Sequence, residues 1–118
     1  MYLNATFVKS ITMNTISNPA SINLIHCVEY ATNAIVSKTI LKQPGGNITL
    51  FAFDKAESLS EHRSQHTAFL QIIEGNAQVS IAENLFNLSA GEAIVLPANI
   101  SHAITAIERF KMMLTMIK

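Results

Sequence analysis

The feature that most constrains the fold is a series of short apolar or alternating runs, separated at close intervals by turn residues. Between residues 59 and 102 the chain passes through AFLQIIEGNAQVSI and AGEAIVLPANISH, where Gly75, Gly91 and Pro97 interrupt the runs. No window of roughly eleven residues shows convincing helical periodicity. Many short strands with regular turns predict a closed or double-sheet β architecture, which also removes most exposed strand edges.

The same pattern covers most of the chain. Residues 1–21 are interpreted as a lead-in that carries an edge strand within TFVKSITM, and residues 22–118 as the barrel. INLIHCVE, residues 22–29, alternates with a period of two and is predicted to be a strand. QPGGN, residues 43–47, is the strongest turn signal. Further strands are predicted at residues 34–42, 48–54, 67–74, 77–81, 85–88, 93–96, 102–107 and 109–117.

Composition limits the classes of partner. The 118 residues carry eight basic and eight acidic side chains, so no charge excess indicates a nucleic-acid or membrane partner. Cys27 is the only cysteine, which excludes an intrachain disulfide and favours a reducing cytoplasm. We see no signal peptide and no apolar run of membrane-spanning length.

An apolar fraction of 49% with only 14% charged residues indicates that part of the surface is covered by a second copy. On the predicted strand at residues 67–74, Phe69, Gln71 and Ile73 would face away from Leu70 and the core. This outer face is the candidate contact of a homodimer.

Three of the four histidines, His62, His66 and His102, lie at the two ends of the stretch 59–102. Side chains two apart on a strand share a face, so an extended segment would point His62, Ser64, His66 and Ala68 the same way. A loop or bulge between His62 and His66 would instead turn one of them away. His26 is interpreted as a hydrogen-bonded structural histidine on a strand face.

These residues resemble two short motifs of the cupin superfamily, in particular of its small single-domain members. The second motif is matched by Gly91, EAIVL, Pro97 and, after four residues, His102. The first is matched by His62 and by Gly75 at the family's distance. The resemblance covers residues 22–118 and implies a double-stranded β-helix, or jelly-roll barrel.

The sequence departs from the family pattern at several positions. Ser64 replaces the second histidine of the first motif and Ala68 its glutamate, so only His62 and His102 keep family metal-ligand positions. Asn99 replaces a glycine, which is a mild change because asparagine tolerates left-handed backbone conformations. The other two departures are Ala56 for the first glycine and Ala106 for the closing asparagine.

The resemblance implies a metal-binding cupin that takes a small organic molecule in its barrel. His66 is the candidate to replace a lost ligand, so His62, His66 and His102 form the predicted metal set. The predicted metal is a divalent transition metal: zinc, nickel, iron, copper or manganese. The absence of a carboxylate weakens the case for iron and manganese. Ser64, Ala68 and Leu70 are predicted to line the pocket.

No catalytic residue is assigned, and two alternatives stay open. The barrel could be a metal-free module that binds or senses a small ligand. It could also be a structural barrel with a decayed site, in which Leu70, Met112 and Met116 would fill the pocket.

Overall fold

The structure is a computed structural model that describes the backbone of residues 8–12 and 19–118, and the side chains of residues 19–60 and 63–118. Within these residues the chain forms ten strands and one short helix, α1 (Leu24–Cys27). The strands are β1 (Val8–Thr12), β2 (Ile35–Gln43), β3 (Gly46–Phe53), β4 (Ser58–His62), β5 (Thr67–Glu74), β6 (Asn76–Ile81), β7 (Asn84–Ser89), β8 (Ala93–Leu96), β9 (His102–Thr105) and β10 (Phe110–Ile117).

The strands form two sheets. The larger sheet has the order β1-β2-β3-β10-β5-β8, and the smaller has the order β4-β9-β6-β7. All pairings are antiparallel except that of β1 with β2, which is parallel. The all-β, double-sheet prediction is confirmed, and so is the added strand at the sheet edge.

The space between the sheets is filled by inward-facing side chains from both. On β5 the exposure alternates, with Ala68, Leu70 and Ile72 buried between more exposed neighbours. Phe53 and Phe110 stack with their ring centroids 4.4 Å apart. The inner core is completed by residues including Ile35, Phe51, Leu59, Ala77, Val79, Leu88, Leu96, Ile104, Ala106, Met112 and Leu114.

The strand predicted at residues 22–29 is wrong, and β4 is not among the predicted strands. Residues 24–27 of the predicted strand INLIHCVE form α1 instead, and the side chain of Asn23 accepts a hydrogen bond from the backbone N of His26 at 3.2 Å. Leu24 and Cys27, three residues apart, pack on a second cluster on the outer face of the larger sheet. His26 is therefore exposed on the helix and does not lie on a strand face.

The second cluster is held by two lysine side chains as well as by apolar contact. Lys38 Nζ donates to the carbonyl oxygen of Cys27 at 3.0 Å, and Lys111 Nζ to that of Ile25 at 2.5 Å. These bonds satisfy carbonyl groups near the end of α1 that lack a helical partner. α1 is thereby held by one lysine of β2 and one of β10.

Candidate functional site

His102 begins β9 and is buried, with 3% of its surface exposed. Residues 97–101 connect β8 to β9. Within this connection Asn99 adopts the left-handed conformation, with φ of 63°. Nδ1 of His102 lies 3.3 Å from the carbonyl oxygen of Ile100. The tautomer that donates this hydrogen bond keeps the lone pair on Nε2. In that tautomer Nδ1 is held by a backbone carbonyl, an arrangement common among histidines that bind metals.

His62 ends β4, directly opposite His102 in the strand pairing. The register between β4 and β9 shifts between Leu59 and His62, which brings about this pairing. Cα partners of antiparallel strands lie about 4.5–5.5 Å apart. The backbone therefore places the two family-type histidines at neighbouring positions of one sheet.

The segment between His62 and Thr67 is a loop, and not the continuation of a strand. Gln65 and His66 form a bend between β4 and β5. The backbone N of His66 donates to Oγ of Ser64 at 3.1 Å. The extended arrangement that would point His66 the same way as His62 is thus absent from this segment. His66 is half-buried in the loop.

The loop that carries His66 is tied to the turn that carries Asn99. The backbone N of Asn99 donates to the carbonyl oxygen of Ser64 at 2.7 Å. This bond joins the segment after His62 to the segment before His102. The backbone thus places residue 62 beside residue 102, and the loop that contains His66 is bonded to the turn before His102.

The remaining predicted pocket residues belong to the wall and core of the barrel. Ala68 is buried and pairs with Leu96 of β8 and with Met116 of β10. Leu70 is fully buried in the inner core together with Met112. Leu70 therefore contributes to the packed inner core. A pocket at the histidines would lie closer to the end of the barrel than Leu70.

Two of the departures from the family pattern are hydrogen-bonded neighbours. The backbone N of Ala56 donates to the carbonyl oxygen of Ala106 at 2.8 Å. The backbone N of Ala106 donates to the carbonyl oxygen of Glu57 at 2.9 Å. Ala56 has φ of 71°, the left-handed conformation that a glycine adopts at lower cost. The backbone geometry of the motif is therefore retained although the glycine is not.

Among the side chains that the structure describes, no group of three histidine, cysteine, aspartate or glutamate residues is arranged to hold a metal ion. The side chain of His62 is outside this set. Two carboxylates that could have served are engaged elsewhere. Asp54 accepts from Nε of Arg109, and Glu74 accepts from the hydroxyl of Tyr30. Asp54 and Glu74 thus have other partners, and the described side chains by themselves form no metal site.

The outer face of the larger sheet carries a polar cluster that could not be predicted from the sequence. The Tyr30 hydroxyl lies 2.6 Å from Oε2 of Glu74, and Lys111 Nζ lies 4.9 Å from the centroid of the Tyr30 ring. Burial and, next, the bond to Glu74 raise the pKa of the Tyr30 phenol. The bond from Arg109, followed by that from the backbone of Asn33, lowers the pKa of Asp54. These groups pair with one another across β3, β5 and β10.

A cleft of about 520 Å³ opens beside this cluster. Its walls are residues 23–25, residues 71–73 and residues 91–93. The cleft could not be predicted from the sequence, because its walls come from three segments that are distant along the chain. Within residues 8–12 and 19–118, no helix is long and apolar enough to cross a membrane.

Comparison with known proteins agrees with the geometry. The sequence model of the cupin domain matches residues 49–118. A protein of unknown function from Streptococcus pyogenes is 30% identical, with a TM-score of 0.82 over 92% of this chain and 95% of that one. A cupin superfamily protein from Desulfitobacterium hafniense is 25% identical, with a TM-score of 0.80 over 85% and 92% of the two chains.

A cupin 2 barrel domain protein from Leptotrichia buccalis is 37% identical over 82% of this chain, with a TM-score of 0.79, and the chain spans 47% of that protein. No curated protein matches the sequence. The matched residues include β4, β9 and the paired positions of His62 and His102. The chain therefore belongs to the cupin superfamily and forms one small cupin domain.

Proposed function

We propose that this cupin binds a divalent transition metal through His62, His102 and His66, and that the metal region takes a small organic molecule. The observation that carries the proposal is the pairing of His62 with the buried His102 across β4 and β9. A buried imidazole with Nδ1 held by a backbone carbonyl suits a ligand that binds through Nε2.

His66 completes the proposed set from the loop. The bond between Asn99 and Ser64 holds this loop next to the turn before His102, so a small movement of the bend could bring the half-buried ring to the metal. Ser64, at the position of a family ligand, uses its hydroxyl to hold the backbone of His66. At the position where the family has a ligand histidine, Ser64 thus supports the backbone of His66.

A metal held by imidazoles alone would polarise an oxygen of the bound molecule or lower the pKa of a bound water. The residues of the chain would orient the ligand and exclude water. Ala68, at the position of the family's carboxylate, has only a methyl side chain, and the buried Leu70 follows it on the same face of β5. The pocket that results would be apolar on its inner side and polar at the histidines.

Metal content of freshly purified, untagged protein tests the proposal. Near-stoichiometric metal is expected, together with its loss in His62→Ala and His102→Ala and an affinity lowered by about tenfold or more in His66→Ala, which corresponds to about 1.4 kcal/mol. His26→Ala is the matched control, because His26 is exposed on α1, and it should bind metal as the wild type does. Circular dichroism of each metal-free variant checks the fold.

The second candidate function is a binding module without metal. It is favoured by Ser64 and Ala68, which stand at two family ligand positions and cannot serve as imidazole or carboxylate donors. Wild-type protein that takes up no zinc, nickel, copper, iron or manganese on reconstitution would overturn the metal proposal in favour of this one. Loss of metal from His62→Ala and His102→Ala but not from His66→Ala would remove His66 from the set.

A further inference from the structure

The turn between β2 and β3 lies at the same end of the barrel as the histidines. Gly46 pairs with Ile117 of β10, and Ile117 pairs with Thr67, where β5 begins after the loop from His62. The last residues of β2 and the first residues of β3 therefore border the end of the barrel at which His102 begins β9. We call this the histidine end.

The inner face of the larger sheet is divided into two halves at the histidine end. On β2 and β3 the inward positions follow from alternation, because Ile35 and Phe51 lie in the inner core. At the histidine end these positions are polar, and Thr39 of β2 pairs there with Thr49 of β3. On β5, β8 and β10 the residues at this end are buried and form an apolar half: Ala68, Leu96 and Met116.

The polar positions border open space between the sheets. Thr39, Asn47 and Thr49 face inward but are only half-buried. Phe51 and Phe53, further along the same face of β3, are 3% and 0% exposed. The hydroxyl oxygens of the two threonines lie 3.3 Å apart, so one hydroxyl donates to the other. The second hydroxyl can donate its own hydrogen to a bound molecule.

A lysine stands at the outer end of these polar positions. Lys42 is exposed and pairs with Asn47, and paired residues of antiparallel strands share a face of the sheet. Lys42 has no ion-pair partner among the side chains that the structure describes. At the opposite end of the barrel, each of three cations lies beside a carboxylate, in the pairs Lys55–Glu108, Arg109–Asp54 and Lys111–Glu74. We call the inward polar group the polar half; it consists of Thr39, Lys42, Asn47 and Thr49.

We propose that the barrel takes a small carboxylate with an apolar body, and that the polar half binds the carboxylate group. The inference rests on the proposed function in placing the organic molecule at the histidine end. Ammonium, amide and hydroxyl groups all supply donors, and a carboxylate offers two acceptor oxygens. The apolar half would contact the body of the molecule. A neutral alcohol would leave the charge of Lys42 without a partner, and an amine would be repelled by it.

Titration of the full-length protein with hexanoate, n-hexanol and hexylamine, followed by NMR, tests the proposal. The three probes share an apolar chain and differ in the head group. Hexanoate should bind about tenfold more tightly than n-hexanol, and hexylamine more weakly than either, because charge-assisted hydrogen bonds are roughly twice as strong as neutral ones. Lys42→Gln should abolish the preference for hexanoate. Lys55→Gln is the matched control, since Lys55 is exposed at the opposite end, and it should retain the preference.

Thr49→Val removes one hydroxyl while it keeps the shape of the side chain, and it should weaken hexanoate binding by about threefold or more. Each titration is repeated after a chelator has removed any metal, because a carboxylate can also bind a metal ion directly. A preference that survives metal removal and depends on Lys42 supports the proposal, whatever the metal content of the protein.

Three results would overturn the proposal. They are equal affinities for hexanoate and n-hexanol in the metal-free protein, equal losses in Lys42→Gln and Lys55→Gln, and the absence of hexanoate binding. None of them bears on the metal proposal, which depends on the metal content of the histidine variants.

Discussion

At the scale of single residues, four non-glycine positions adopt positive φ: Asn33, Ala56, Ala82 and Asn99, among the residues that the structure describes. Asn99 was predicted to tolerate the turn before His102, and its φ of 63° confirms that prediction. Ala56 bears the same conformation without the help of an asparagine side chain. This conformation could not be predicted from local sequence, because alanine has no preference for the left-handed region.

Replacing Ala56 by glycine should stabilise the fold. The left-handed conformation costs an alanine about 1 kcal/mol or more, which exceeds the added entropy of an unfolded glycine. Because Ala56 is exposed, no packing is lost, and we expect the free energy of unfolding to rise by about 0.5 kcal/mol in urea titrations. Ala90→Gly, at an exposed turn position without positive φ, should instead lower it by about 0.5–1 kcal/mol.

At the scale of elements, β2, β3 and β5 to β10 were largely predictable from alternation, β-branched residues and turn signals, whereas β4 was not predicted because residues 55–61 have the composition of a polar loop. β8 was predicted with the bounds it has in the structure. α1 was missed because Leu24 and Val28 fit both a period of two and a helical spacing, and only the sheet beneath them decides. The loop at residues 63–66 was one of two alternatives that stayed open, because the segment it bonds to, at Asn99, lies far away along the chain.

α1 is held on the larger sheet in part by a buried lysine, Lys111, whose burial no local sequence pattern predicts. Lys111 is 4% exposed and reaches the carbonyl of Ile25, the ring of Tyr30 and, at 3.8 Å, the carboxylate of Glu74. Its aliphatic stem lies among apolar side chains, as lysine stems often do. The charge is therefore balanced and not orphaned.

Lys111→Ala should lower the free energy of unfolding by about 2 kcal/mol, since it leaves a cavity and a carbonyl without its donor. Lys111→Met keeps the stem and should lose about half as much. Urea unfolding monitored by circular dichroism measures both. Lys55→Ala is the control, because the Lys55–Glu108 pair is exposed and should contribute within about 0.5 kcal/mol. Equal losses in the Ala variants of Lys55 and Lys111 would contradict this account.

At the scale of the whole molecule, the numbers of acidic and basic residues are equal. We therefore expect the dependence of stability on acid pH to come mainly from individual carboxylates with shifted pKa, such as Asp54. Asp54 directly follows β3. Its carboxylate accepts hydrogen bonds from Nε of Arg109 and from the backbone N of Asn33, each at 2.7 Å. Both bonds lower its pKa in the folded state. Neither partner could be inferred from sequence, because Arg109 and Asn33 lie far from Asp54 along the chain.

The stabilisation from Asp54 is present above the ordinary aspartate pKa of about 3.9 and is lost as the pH falls through its lower folded value. Asp54→Asn should therefore be less stable than the wild type at pH 7, and the two free energies of unfolding should converge as the pH falls below about 3.9. Urea titrations over this range test the prediction. A difference that is constant with pH would show that the carboxylate charge plays no part.

The position of β10 between β3 and β5 has a consequence for how the chain reaches this fold. Residue 53 of β3 pairs with residue 110, so the centre of the larger sheet cannot form until a long loop has closed. Proteins dominated by such distant pairings fold in about milliseconds to seconds, far more slowly than helical bundles. Until β10 is in place, β3 and β5 are exposed as unpaired edges. The interval before closure is therefore when this apolar chain is most open to aggregation.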